Sequence, residues 1–202
     1  MKKQVLVIHG GDTFESHDEW LNYLNNKKIN FERIKNPQPG WKDNLVNELS
    51  EEFDVIIPKM PNKQNASYEE WRIWFGRTAL LLDDGVILVG HSLGGIFLAK
   101  YLSENDFPKD ISATFLVSAP YDDKESEYTL ADFSLGGDLS KFREQAGKIY
   151  LIQSKDDPVV PFEQLSKYKE SLPEAETVVF DDKEHFSQEE FPEIVELIKK
   201  QG

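Results

Sequence analysis

The sequence predicts an α/β fold in which about six mostly parallel strands are flanked by helices on both faces of one sheet. Three observations predict it. Six short aliphatic or β-branched runs recur along the 202 residues, each uninterrupted rather than alternating, which suits strands buried on both faces. Stretches with helical spacing of apolar residues separate these runs. Small and polar residues gather just after several of them, where open α/β sheets hold their ligands.

Taken in order, the first run is Val5 to Ile8, closed by His9-Gly10-Gly11-Asp12 and followed by helical spacing over Trp20 to Leu24. Asn36-Pro37-Gln38-Pro39-Gly40-Trp41 reads as a rigid loop, and Leu45 to Phe53 as the next helix. Val55 to Ile57 is the second strand, ended by Pro58-Lys59-Met60-Pro61-Asn62. In the helix predicted over Tyr68 to Leu82, Tyr68, Trp71 and Phe75 form one stripe, a core face rather than an aromatic binding box. Val86 to Val89 runs through Gly90-His91-Ser92-Leu93-Gly94-Gly95 into an apolar helix over Ile96 to Leu102. Thr114 to Val117 is the fourth strand. Tyr121 to Gly147 is acidic yet carries Tyr121, Tyr128, Leu130, Phe133, Leu135, Leu139 and Phe142, so residues 121–147 are expected to form a minimal cap. Ile149 to Ile152 is the fifth strand, Phe162 to Leu172 a helix, Val178 to Phe180 the sixth strand and Phe191 to Ile198 the last helix. No linker-like break divides the chain, so residues 1–202 are expected to form a single domain.

Charge and composition exclude several classes of function. A formal net charge of −14 and a pI of about 4.7 oppose phosphate backbones and anionic lipid surfaces, so neither nucleic-acid nor membrane binding is expected. With no cysteine there is no disulfide framework, thiolate metal site or cysteine nucleophile. After Met1-Lys2-Lys3 the apolar stretch stops within four residues, too short for an export signal, and a cytoplasmic protein is expected, monomeric or a small homo-oligomer.

Chemistry is expected to begin at Ser92. A G-x-S-x-G pattern between a buried strand and a helix describes a nucleophile elbow, a strained turn in which Gly90 and Gly94 leave room that a Cβ would fill. A serine hydroxyl needs a base, usually an imidazole oriented by a carboxylate. Of the four histidines, His9 and His91 belong to the loop and the elbow and His17 to the first helical stretch, which leaves His185 beyond the last strand. Asp156 and Asp157 both qualify by position as the carboxylate. Asp157 is preferred because Pro158-Val159-Val160-Pro161 would fix its loop, and Asp156 reads as a turn former. The oxyanion is expected to meet the backbone N–H groups of Leu93 and Gly11. His91, Asp12 and Tyr121 are expected beside the substrate. A G-x-G-x-x-G cradle would need glycine where Ser92 stands, and neither a P-loop nor an H-E-x-x-H pattern occurs, so no metal and no cofactor are expected.

With Gly90-His91-Ser92-Leu93-Gly94, then Ser154-Lys155-Asp156-Asp157-Pro158-Val159-Val160-Pro161, then His185-Phe186, the chain resembles a small α/β-hydrolase. Among these it is most similar to the compact serine hydrolases related to the retinoblastoma-binding hydrolase and to YdeN-like bacterial proteins. Ile57-Pro58-Lys59-Met60-Pro61-Asn62 ahead of Trp71 extends the likeness over nearly the whole length. The resemblance implies a reduced α/β-hydrolase fold with its triad at Ser92, Asp157 and His185. Two departures stand out. Glu184 occupies the place where such hydrolases commonly have glycine, and a chain without cysteine cannot contain the L-x-C-x-E motif to which retinoblastoma binding is attributed. The expected activity is hydrolysis of small carboxylic esters, lactones included. The alternatives are a peptidase or amidase with the same triad, or a scaffold that keeps the fold without catalysis.

Overall fold

The computed structural model describes residues 2–124, 126 and 128–202, and its centre is one six-stranded sheet. In chain order the elements are β1 (Lys3–Ile8), α1 (His17–Asn26), α2 (Phe31–Lys35), α3 (Trp41–Glu48), β2 (Phe53–Ile56), α4 (Tyr68–Ala79), β3 (Val86–His91), α5 (Leu93–Glu104), β4 (Ile111–Val117), α6 (Ser140–Gln145), β5 (Lys148–Ser154), α7 (Glu163–Ser171), β6 (Glu176–Phe180) and α8 (Pro192–Lys199). The strands lie in the order β2-β1-β3-β4-β5-β6, and every pairing is parallel. Because the chain passes from β1 outward to β2 and then returns to β3 on the other side of β1, the order reverses between β1 and β3. The loops leaving those two strands diverge there and open a crevice at their carboxyl ends.

Period-two alternation divides each central strand between two layers. Leu6, Ile8, Val86 and Leu88 pack with α4, α5, α6 and α7 on one face. Val5, Val7, Ile87 and Val89 pack with α3 and α8 on the other. The stripe read from the sequence holds: Tyr68, Trp71 and Phe75 are buried against Phe97 of α5, with Trp71 and Phe97 edge to face at 5.5 Å. Truncating a buried ring of this size to alanine costs about 3–5 kcal/mol. On the opposite face Phe115 and Tyr150 stack at 4.4 Å between neighbouring strands.

Three local expectations are corrected. Phe53 opens β2 instead of closing the preceding helix, because its ring belongs to the layer under α3. Two short helices, α2 and α6, form where no helix was expected, both of them shorter than periodicity can register. In the stretch expected as a cap, Glu125 and Glu127 lie outside the described residues. Phe133, Leu139 and Phe142 are buried in the layer of α4 and α5, where they add to the core, and only the start of the segment, Tyr128, Thr129 and the buried Leu130, borders the cleft over Ser92. α1 also borders the crevice, through Glu19 and Tyr23, and neither α1 nor α2 contains a buried residue. Among the described residues no helix is long and apolar enough to cross a membrane.

Candidate active site

Ser92 stands between β3 and α5 with φ 56° and ψ −124°, a left-handed conformation that a non-glycine residue adopts only when its surroundings enforce it. Those surroundings are backbone. The Ser92 N–H donates to the Val117 carbonyl of β4 at 2.9 Å, and its own carbonyl accepts from Gly95 N–H at 2.8 Å as α5 begins. A Cβ on Gly90 would overlap the Gly94 carbonyl, and one on Gly94 would overlap the carbonyls of Ile8 and His9. The glycines therefore let the elbow press against the end of β1.

The structure brings the three expected residues together. His185 Nε2 lies 3.0 Å from Ser92 Oγ, and His185 Nδ1 lies 3.0 and 3.1 Å from the two carboxylate oxygens of Asp157. A carboxylate only accepts, so Nδ1 carries the proton and the Nε2 lone pair faces the serine hydroxyl. The Asp157 side chain has no exposed surface. Burial pushes its carboxyl up, yet hydrogen bonds from His185, Ser118 and the Val160 N–H outweigh that and hold it below the usual carboxylate range. Oδ1 takes the N–H groups of Val159 and Val160 at 2.8 and 2.9 Å, so the loop expected to aim Asp157 does so.

Ser118, which sequence reasoning missed, donates its hydroxyl to Asp157 Oδ2 and sits 3.0 Å from His185 Nδ1. Its one available signal was position, a small polar residue at the carboxyl end of the fourth strand.

The loop carrying His185 is strained on both sides of the imidazole, with Glu184 at φ 45° and Phe186 at φ 51°. Tethers from distant parts of the chain hold it. Trp41 Nε1 donates to the Phe186 carbonyl at 2.9 Å, Trp41 N–H to the Gln188 carbonyl at 3.1 Å, and Asn44 Nδ2 to the Glu189 carbonyl at 2.9 Å. Asp156, read as a turn former, accepts the Glu184 N–H at 2.9 Å and so fastens the same loop.

His91 is expected at the substrate, and it does line the cleft, but its two nitrogens are engaged elsewhere. Nε2 donates to the His185 carbonyl at 2.9 Å, which leaves Nδ1 to accept from Lys42 Nζ at 3.3 Å. Burial and the Lys42 charge push the His91 imidazole well below its ordinary range, so it is neutral. Burial likewise lowers the Lys42 ammonium to about 8. His9 is also structural. Its Nε2 accepts the Met60 N–H at 3.0 Å, which fixes the loop after β2.

A cleft of about 750 Å³ opens over Ser92 and His185. Leu93 and Gly11 both line it. Leu93 is the first residue of α5, so no carbonyl one turn earlier takes its N–H. A Cβ on Gly11 would overlap the Lys63 carbonyl. Asp12 is at the rim, where burial pushes its carboxyl up. Tyr121 is placed differently from expectation: its ring packs edge to face on Tyr168 at 5.0 Å and its hydroxyl meets Ser171 Oγ at 3.1 Å, which turns it into the core and away from the cleft. A second groove of about 990 Å³ adjoins the cleft through Phe14, Lys63 and Gln64 but reaches none of Ser92, Asp157 and His185. Among the described residues no three His, Asp or Glu side chains are grouped as metal ligands would be.

A parallel sheet reversing between β1 and β3, with a serine elbow after β3 and a histidine loop after β6, defines an α/β-hydrolase. The solved structure of the ydeN gene product from B. subtilis superposes with a TM-score of 0.74 over 99% of this chain and 98% of that one, at 21% identity. The chain belongs to the serine hydrolase family, whose model matches residues 35–199. It is 29% identical over 162 residues to serine hydrolase RBBP9 of Rattus norvegicus, covering 79% of this chain and 83% of that protein. It is 28% identical over 163 residues to YdeN of Bacillus subtilis (strain 168), covering 80% and 75%.

Proposed function

We propose that this serine hydrolase cleaves small carboxylic esters, lactones included, through an acyl-enzyme at Ser92. The observation that carries the reading is the 3.0 Å approach of His185 Nε2 to Ser92 Oγ with the opposite ring nitrogen on the buried Asp157. As Ser92 Oγ bonds to the ester carbon, its proton passes to His185 Nε2, and Asp157 stabilises the imidazolium that forms. The N–H groups of Leu93 and Gly11 receive the developing oxyanion. His185 then gives the proton to the departing alkoxide, and water attacks the acyl-enzyme by the same relay to release the acid. Leu93, Pro120, Leu130, Val159 and Val160 in the cleft favour a short apolar acyl group.

Amide hydrolysis would use the same atoms with a poorer leaving group. A binding scaffold would leave the strained Ser92 conformation without a use. Hydrolysis of p-nitrophenyl acetate, butyrate and octanoate by wild type and Ser92→Ala, with folding checked by circular dichroism, tests the reading. Turnover should fall by about 10⁴-fold or more in the folded variant. Wild-type-level turnover in Ser92→Ala would defeat it, and equal rates on an ester and its matched anilide would favour the peptidase.

A further inference from the structure

We propose that the arm formed by α1 and α2 docks the protein on an anionic lipid surface. Neither helix has a buried residue, and five of its apolar side chains face solvent: Leu21, Leu24, Ile29, Phe31 and Ile34. Ile29, Phe31 and Ile34 are 78%, 68% and 66% exposed, values usual for lysine and not for side chains of this kind. Phe31, Ile34 and Lys35 occupy positions i, i+3 and i+4 and so share one face of α2.

Charge chooses the occupant. Whole-chain charge opposes an anionic surface, but the charge is unevenly distributed. Residues 27–35 carry Lys27, Lys28, Arg33 and Lys35 against the single Glu32, three net positive charges in a chain of −14. Among the described residues Lys28, Arg33 and Lys35 form no ion pair, so their charge is available. Exposed aliphatic and aromatic side chains set among unpaired cations fit the boundary of an anionic bilayer, where the apolar groups enter the acyl region and the cations meet headgroup phosphates. At physiological salt a charge is screened beyond about 8 Å, which weakens the effect of distant acidic residues. Lys27 is engaged by the Tyr23 hydroxyl and the nearby Asp12, so the arm's available charge is that of Lys28, Arg33 and Lys35. Asp18 and Glu19 stand near the opposite end of α1, about 12–14 Å along its axis from Lys27.

The arm is joined to the candidate active site. Trp20 and Tyr23 of α1 pack on Phe14, and Phe14, Glu19 and Tyr23 line the cleft over Ser92. The first half of the arm, α1, therefore borders the cleft mouth. The inference does not depend on the ester reading, and its test measures binding alone.

The test is flotation of the full chain with vesicles of phosphatidylcholine, and of phosphatidylcholine mixed with phosphatidylglycerol. Wild type should float with the mixed vesicles only and be released near 1 M salt, where the screening length falls to about 3 Å. Each basic residue at such a surface strengthens partition about fivefold, so Lys28→Glu/Arg33→Glu/Lys35→Glu should weaken it at least about 100-fold. Phe31→Ser/Ile34→Ser should also lose binding while keeping the wild-type circular dichroism. Absence of wild-type binding to the mixed vesicles, or equal binding by the charge variant, would overturn the proposal. So would a dimer in solution that Phe31→Ser/Ile34→Ser disperses, because the face would then belong to a second copy.

Discussion

The Ser118 hydroxyl donates to Asp157 Oδ2 and lies 3.0 Å from His185 Nδ1, so one side chain of β4's carboxyl end touches both the carboxylate and the imidazole. A hydrogen bond to a buried charged group contributes roughly 1.5–3 kcal/mol, which sets the scale of its loss. Ser118→Ala should lower kcat for p-nitrophenyl butyrate about 10-fold, and by no more than about 100-fold, with KM little changed. A rise in KM at constant kcat would place Ser118 in substrate binding and not in orienting the pair.

Asp157 links the site to acid stability. Its native carboxyl titrates below the ordinary range, so its stabilisation is complete above about pH 4 and is lost as the pH falls through the native value. Asp157→Asn should destabilise the protein by roughly 1–3 kcal/mol at neutral pH. In urea titrations the gap between variant and wild type should close as the pH drops below about 4.

Lys42 gives the same direction of pH dependence at the alkaline end. Burial lowers its ammonium to about 8, so between there and the ordinary value near 10.4 the unfolded chain holds more protons than the native one. Wild-type stability contributed by this group should rise with pH across that window. Lys42→Met keeps the stem over Trp41, where Nζ lies 4.7 Å from the ring centre, and should abolish the rise. An unchanged slope would mean that Lys42 is solvated.

Glu184 sits at φ 45°, in the region that favours glycine. Glu184→Gly should relieve about 1 kcal/mol of strain, observable as a higher melting temperature with the circular dichroism unchanged. The glycine common at this place in similar hydrolases then has a conformational reason.

Gly94 predicts the reverse. Its added methyl would meet the carbonyls of Ile8 and His9, main-chain atoms that cannot rotate aside. Gly94→Ala should cost roughly 1–3 kcal/mol and displace the elbow, so ester turnover should fall further than stability alone explains.

Much of this was legible in the sequence because the central strands are continuous apolar runs and because loops after parallel strands converge on one rim. Val86 to Val89 leading into Gly90-His91-Ser92 located the elbow, elimination among the four histidines left His185, and Pro158-Val159-Val160-Pro161 favoured Asp157 over Asp156. Contacts between residues far apart in sequence were not legible. Nothing local to Ser118 or Trp41 announces that they meet the histidine loop, nor to Lys42 that it meets His91, and Tyr121 looked like a site residue because burial against Tyr168 leaves no local mark. The aromatic residues of 121–147 suggested a cap for the same reason: composition shows that a segment is sticky, not which surface it covers.

The bonds that hold His185 in place have a consequence for the order of assembly. Trp41 and Phe186 are 145 residues apart, and His91 and His185 are 94 apart. Contacts that close such long loops incur the largest entropy loss before they return any stability. The Ser92 elbow, built on neighbouring β3 and β4, can form while His185 is still being gathered from the far end of the chain. In refolding experiments, recovery of ester turnover should lag behind recovery of secondary structure, and a freshly collapsed molecule should be a hydrolase in shape before it is one in rate.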